Sequence, residues 1–374
     1  MDNQEQIYSM ALTKIKGISV SNARVLYNTF GSAAAVFDNR NDIKSHIPDA
    51  TPRLVEALRN VDEAIKRAEA EIDFIGKKNV RILTMNDDAY PQRLKECDDA
   101  PIVLYYCGNA DLNKAKVVCM VGTRKCSEYG KDVCRNFISD LKRYYPDIII
   151  VSGLAYGIDI NSHRQALANG MDTIGVLAHG LDRIYPYVHR KTAVDMVSHG
   201  GLITEYMSDT TPEKGNFVAR NRIVAGMSDA CIVVESASKG GSLITANLAQ
   251  AYNRDVFAFP GRIFDEYSAG CNQLIRDNKA SLIQSAEDLI NAMCWPNPLE
   301  NKNKPVQKEM FINLSEEEQM VINCLKDVDD KPINMIVNET GLTYSRVSVL
   351  MFELELKGVV KVLGGARYHL LSLL

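Results

Sequence analysis

Four short stretches of this sequence combine glycines with cations or hydroxyls in the way that holding a phosphate requires. The first is Val121-Gly122-Thr123-Arg124. A glycine there lets the main chain come close to a ligand, and an arginine can fork onto phosphate oxygens. The second is Ser152-Gly153-Leu154-Ala155-Tyr156-Gly157-Ile158-Asp159, where small residues precede a predicted helix. Free N–H groups at such a helix start form an anion site. The third runs from Lys214 through Phe217-Val218-Ala219-Arg220-Asn221-Arg222, three cations around one aromatic ring. Binding of a single-stranded nucleic acid uses that pairing: charge for the backbone, a flat ring for a base. The fourth is Lys239-Gly240-Gly241-Ser242-Leu243-Ile244-Thr245-Ala246, which enters another predicted helix through glycines and adds hydroxyls at Ser242 and Thr245. None of the four reads GxGxxG or GxxxxGK[ST], so neither a dinucleotide site nor an ATP site of the usual kind is expected. Two further loops, Pro260-Gly261 and Ser268–Asn272, are expected on the same edge.

These loops need a scaffold that brings them together, and the surrounding pattern supplies one. Strands are predicted at 117–121, 148–152, 173–177, 202–204, 230–234 and 256–259, as continuous apolar runs. Helices are predicted at 130–144, 158–168, 190–198, 217–225 and 242–252. Strands that are apolar throughout and alternate with helices indicate a parallel sheet covered on both faces. Loops after the strands then share the edge where ligands of open α/β sheets bind.

Ahead of this region, residues 1–70 read as helices. A glycine turn at Gly17-Ile18-Ser19 suggests a helix-hairpin-helix or SAM-like module, Ser21 or Asn22 is a candidate cap for its second helix, and one long helix is expected over about 52–77. Short strands near 80–83 and 102–106 lead into the centre. Residues 295–307 are rich in proline and asparagine and read as a linker. Beyond it, three helices and a hairpin about Gly364-Gly365 form a winged-helix pattern, with a Ser315/Glu318 capping box and a candidate recognition helix over 343–357. The expected division is 1–75 helical module, 76–295 α/β domain, 296–312 linker and 313–374 winged helix.

Composition bounds the function. The 374 residues carry a net charge of -4, so a nucleic-acid site must be a local patch rather than bulk charge. From 314 to 374 there are six Lys/Arg against nine Asp/Glu, which makes the winged helix a better protein-interaction element than a duplex reader. The nine cysteines form no CxxC pair, which favours buried reduced thiols over a metal site or a disulfide framework. No metal and no cofactor are expected. The first ten residues lack the basic-then-apolar pattern of a signal peptide, and no apolar run nears the ~20 residues of a membrane span. A cytoplasmic protein with no membrane association is therefore expected.

Asp159 and His163 lie four apart on one predicted helix, an acid/base spacing. With no nucleophile beside them, a helix cap or a buried hydrogen bond is the expected role, and no catalytic residue is assigned. Glu205 is expected to hold loop amides or an arginine such as Arg220. The same cleft also suits a nucleotide, so a nucleotide-binding or nucleotide-hydrolysing Rossmann-like enzyme is the alternative reading.

The set VGTR, Tyr129-Gly130, SGLAYGID, His163, the run Thr173–Pro186, Glu205, RNRIVAG, VVE, GGSLITA, Pro260-Gly261 and SAGCNQLI resembles the DNA-processing protein A (DprA/Smf) family over most of 117–283. That resemblance implies a Rossmann-like, doubly wound, mostly parallel sheet between a helical N-terminal module and a winged helix. It implies a non-catalytic protein that binds and protects single-stranded DNA and loads RecA during natural transformation, as a homodimer through the central domain. It places phosphate contacts at Gly122–Arg124, the SGLAYGID loop, Lys214, Phe217, Arg220 and the GGSLITA loop. The sequence departs from the family pattern at Val218, where proline is usual, and at His179, where glycine is common.

Overall fold

The structure, a computed structural model, describes residues 3–299, 314–326, 331–363 and 366–370. It forms two compact units, Met1–Pro298 and Leu299–Leu374.

The apolar runs of the first unit are strands. They are β1 Arg81–Thr84, β2 Val103–Gly108, β3 Val117–Val121, β4 Ile149–Ser152, β5 Thr173–Val176, β6 Gly200–Thr204, β7 Ala230–Val233, β8 Asp255–Ala258 and β9 Ser281–Leu282. They make one sheet in the order β1-β2-β6-β5-β4-β3-β7-β8-β9. The pairs β1/β2 and β2/β6 are antiparallel, and the other neighbours are parallel. Successive side chains of a strand point to opposite faces, and both faces here are covered. Val117, Cys119 and Val121 of β3 join one hydrophobic cluster, while Val118 and Met120 join the other. This explains why the runs are apolar at every position instead of alternating. The helices that cover them are Glu128–Tyr144, Ile158–Ala168, Arg190–Ser198, Lys214–Gly226 and Gly241–Ala251.

From β3 the chain winds outward through β4, β5 and β6, then returns to place β7 on the other side of β3. The strand order therefore reverses between β3 and β7. The loops leaving those two strands diverge and open a crevice at their carboxyl ends.

The N-terminal helices pack against this sheet. One hydrophobic cluster runs without a break from Met10 and Leu12 through Leu58 and Tyr105 to Ala280. The second helix, Val20–Phe30, is capped by Ser19, whose hydroxyl accepts from Asn22 N–H, and not by Ser21 or Asn22. The expected single helix over 52–77 is two helices, Pro52–Arg59 and Asp62–Gly76. Asn60 ends the first, its side chain bonding back to Glu56 O; such local amide bonds compete with the helix ladder. Trp295, expected to open the linker, instead packs on the sheet unit. Its ring meets Tyr145 edge-on at 5.6 Å, with Lys116 Nζ 5.1 Å from its centroid. Most of the expected linker, 300–313, and the Gly364-Gly365 turn lie outside the described residues.

The second unit has helices Glu316–Leu325, Ile333–Thr340 and Tyr344–Leu356 and a small sheet of β10 Lys331–Pro332, β11 Val360–Leu363 and β12 Arg367–Leu370, in the order β10-β12-β11. The Ser315/Glu318 capping box forms, and Gly341 closes the middle helix at φ 68°. Val321, Ile336, Val347, Leu350 and Leu354 build a separate core. Among the described residues, no helix is long and apolar enough to cross a membrane.

Candidate nucleic-acid interface

The crevice between the ends of β3 and β7 is an open groove of about 630 Å³. Its walls come from the Gly122–Arg124 loop, the start of the helix Lys214–Gly226 and the Lys239–Ser242 loop, with Gly153 and Ala155 deeper in. Arg124, Lys214 and Lys239 line it and are all exposed. Among the described residues, none of the three has a hydrogen bond or an ion pair with a side chain of the protein. Arg124 instead lies over the Phe217 ring, 5.3 Å from its centroid. Three cations without carboxylate partners, around an aromatic face, give the groove a local positive field inside a chain of net charge -4.

The glycines fall into two groups, set apart by what a side chain would meet. At Gly122 a Cβ would strike Ile158 and the Glu235 carbonyl; at Gly153 it would strike the Arg220 guanidinium; at Gly157, with φ +77°, the Thr123 carbonyl. Those three are glycine because the fold closes on them. At Gly240 and Gly241 the nearest atoms would be 3.6 and 3.8 Å away, ordinary contact, and neither φ is in the left-handed region. Nothing within the protein requires glycine there. The helix Gly241–Ala251 that follows has no side-chain cap, so its first N–H groups face the groove without an acceptor from a capping side chain. Around them, Ser242 Oγ donates to Ser236 Oγ at 2.8 Å, Thr245 Oγ1 to Gly241 O at 3.1 Å and Asn221 Nδ2 to Gly241 O at 3.4 Å, which hold the loop in shape.

The SGLAYGID loop is spent mostly on itself. Gly153 and Ala155 N–H donate to Asp159 Oδ2, at 3.1 and 3.3 Å, and Ser152 Oγ donates to Met120 O at 2.6 Å. Asp159 thus occupies the amides expected to meet a phosphate. Burial raises its pKa, and the charge of Arg220 opposes that rise.

Two expected cations are not on the groove surface. Arg220 is 3% exposed and lies at the groove floor, where Nη1 donates to the Gly153 and Val176 carbonyls. Arg222 points away, ion-paired with Glu205 and donating to Asp99 O at 2.6 Å. Glu205 therefore holds Arg222, not Arg220. Both arginines brace the helix Lys214–Gly226 against its neighbours. Thr123 N–H donates to Glu235 O at 2.7 Å, so that residue is also placed by the fold. Pro260-Gly261 and Ser268–Asn272 lock together, with Asn272 bonding both Gly261 N–H and O, and they do not line the groove.

His163 is fully buried, its Nδ1 2.7 Å from Thr173 Oγ1. Burial and the nearby Arg220 push its pKa down to about 3. With Asp159 tied to loop amides and His163 to Thr173, the two do not form an acid/base pair facing the groove.

One lining residue carries no motif signal of its own, and one named only as part of a motif proves exposed. Lys239, named at the head of the fourth loop, is exposed on the groove wall. Tyr185 is 46% exposed, and its ring lies 5.7 Å from that of Phe217. His179 supports it: Nδ1 lies 2.8 Å from Gly180 O, and Tyr185 N–H donates to Nε2 at 3.2 Å. The departure from glycine at 179 therefore has a structural use. Val218, the other departure, is exposed on a helix that begins four residues earlier, so the helix start does not depend on proline there.

The model of the family "DNA recombination-mediator protein A" matches residues 81–294, and that of the "DprA winged helix domain" matches 312–366. The chain is similar to the DNA processing protein DprA of Streptococcus pneumoniae, 43% identical over 205 residues that cover 54% of this chain and 71% of that protein. The X-ray structure of DprA from that organism superposes with a TM-score of 0.64 at 33% identity, covering 76% of this chain and 97% of the other. A structure of DNA processing protein A from Helicobacter pylori, described for its single-stranded DNA binding mode, gives a TM-score of 0.52 at 31% identity and covers 57% and 95%. Protein Smf of Synechocystis is 31% identical over 400 residues, covering 99% of this chain and all of its own length. A family model across more than half of the residues and a relative matched from end to end agree with the loop motifs and the switch-point groove: the chain belongs to the DprA/Smf family of DNA-processing proteins.

Proposed function

We propose that the switch-point groove binds single-stranded DNA, and that the protein is a recombination mediator that protects an incoming strand and passes it to RecA during natural transformation. The observation that carries the DNA reading is the trio Arg124, Lys214 and Lys239, free of carboxylates, around Phe217 and the open glycines 240–241. Phosphates would meet the cations and the helix-start amides, and a base would stack at Phe217 and Tyr185. Since backbone contacts position without specifying, affinity is expected to be independent of sequence and sensitive to salt. The single-strand binding mode described for the H. pylori relative supports this reading. Family membership supports the RecA step, action as a homodimer through the central domain, and the absence of a catalytic role.

The test is binding of oligo-dT across a salt series. Lys214→Ala and Arg124→Ala should each weaken it about tenfold and lower the salt slope by about 0.7. Unchanged affinity in both variants would overturn the site. Thermal stabilisation by a mononucleotide, with none by oligo-dT, would favour a nucleotide-binding enzyme instead.

A further inference from the structure

A second cationic groove lies on the N-terminal helices, with a volume of about 480 Å³. Its charged lining is Lys14, Lys16, Arg53, Arg67, Glu56 and Glu63. Both carboxylates have ion-pair partners at the rim: Glu63 holds Lys16 at 3.0 Å, and Glu56 holds Arg59 at 3.6 Å. Arg67 is turned to Glu71 and Ser208. Lys14 and Arg53 remain, and among the described residues neither side chain has a hydrogen-bond or ion-pair partner. Lys14 is partly buried; burial and the charge of Arg67 push its pKa down, and the more distant carboxylates of Glu71 and Glu205 only partly oppose this. Both side chains line the groove and are open to an anion that enters it. Arg53 stands against the glycine turn: a side chain on Gly17 (φ +95°) would lie 3.6 Å from Arg53 Nε. A ligand held by Arg53 would therefore run past exposed main chain.

The position of this groove points to a nucleic-acid backbone. Arg67 and Glu71 bind Ser208, six residues before Lys214 of the central groove. Six residues span at most about 20 Å. Phosphates along a duplex strand recur every ~3.4 Å, so about six of them already cover that gap. We infer that the strand bound in the central groove continues onto the N-terminal module, where Lys14 and Arg53 contact its phosphates. This rests on the single-strand reading of the central groove and extends it to a second, length-dependent site.

Two lengths of oligo-dT test it on the full chain: one of about four nucleotides, at the lower end for a single site and too short to cross the gap, and one of about thirty. The Lys14→Ala/Arg53→Ala double variant should bind the short strand like the parent. It should bind the long strand about tenfold more weakly, with a salt slope smaller by about 1.4, or 0.7 for each lost contact. Arg53→Lys should recover part of the loss. Lys214→Ala serves as the reference and should weaken both lengths. If the double variant matches the parent on both lengths, the extension is wrong, whatever Lys214→Ala does. If Lys214→Ala leaves the short strand unaffected while the double variant loses the long one, the central reading fails and the N-terminal site stands. Loss of an acidic protein partner with both strand affinities intact would assign the groove to protein and overturn the inference. Arg53 is exposed and Lys14 unpartnered, so matching thermal midpoints are expected for all variants.

Discussion

Arg220 and Lys214 lie on the same helix, yet their charges serve different ends. Lys214 is exposed at the groove wall, while Arg220 is buried against two carbonyls and faces the carboxylate of Asp159. Removing a buried charge that offsets another leaves the second uncompensated, at about 3–5 kcal/mol. Arg220→Ala should therefore lower stability by about that amount, whereas Lys214→Ala should stay within about 0.5 kcal/mol. The protein has one tryptophan, Trp295, packed on Tyr145 in the first unit, so urea unfolding followed by its fluorescence measures both. A stable Arg220→Ala that loses DNA binding would make Arg220 a direct ligand after all. Phe217 is the remaining test at this scale. Its ring has Arg124 over one face and Tyr185 beside it. Phe217→Ala should cost about 1–3 kcal/mol in oligo-dT binding, the range for one stacked base. Binding that weakens only with salt, and not with this substitution, would mean that phosphates alone are held.

At the scale of elements, the helix Ile158–Ala168 carries a pH dependence that can be measured. Thr173 Oγ1 donates to Ile150 O at 2.8 Å, so it accepts from His163 Nδ1–H. That leaves His163 Nε2 unprotonated, buried and without a partner. Its pKa of about 3 in the fold lies below the ordinary 6.5. The folded state then binds fewer protons than the unfolded state below pH 6.5, so stability is complete above that value and declines as pH falls toward 3. The slope is about 1.4 kcal/mol per pH unit, and burial lowers the pKa of His179 and His189 in the same direction. His163→Asn, which keeps a donor toward Thr173, should flatten part of this slope between pH 6 and 4; an unchanged slope would exclude His163 as its source. The strands and crossover helices were legible because parallel strands demand apolar runs on both faces. The break at Asn60 was not, because it depends on one side chain competing for the ladder. The site was legible in its chemistry but not in its facing. Arg220 and Arg222 are two residues apart, about 200° around a helix, so they cannot share one surface. Lys214, Phe217, Val218 and Asn221, spaced as neighbours on one face, form the helix's share of the groove wall, with Arg220 and Val224 below them. The choice of Arg222 over Arg220 as the partner of Glu205, 17 residues away, follows from that facing, whereas the capture of the Gly153 and Ala155 amides by Asp159, six and four residues on, is local and agrees with the cap or buried hydrogen bond expected for it.

For the whole molecule, the question is whether the winged-helix unit takes part in holding DNA. Each unit has its own hydrophobic core, with Val321, Val347 and Leu350 in one and the β3–β7 strands in the other. Residues 314–374 carry six Lys/Arg against nine Asp/Glu. On the helix Tyr344–Leu356, Arg346 is ion-paired with Glu317, and the exposed side chains include Val349, Phe352 and Leu356. An acidic unit whose helical arginine is already neutralised adds no counterion release on a phosphate backbone. A chain ending at Pro298 should therefore bind oligo-dT within about twofold of the full chain, with the same salt slope. It should also unfold cooperatively, because among the described residues no core residue of the first unit lies beyond that point. The isolated second unit should show no salt-dependent binding to duplex DNA. A drop in oligo-dT affinity of tenfold or more on truncation, with the fold intact by Trp295 fluorescence, would place part of the DNA site in the winged helix and contradict its charge balance.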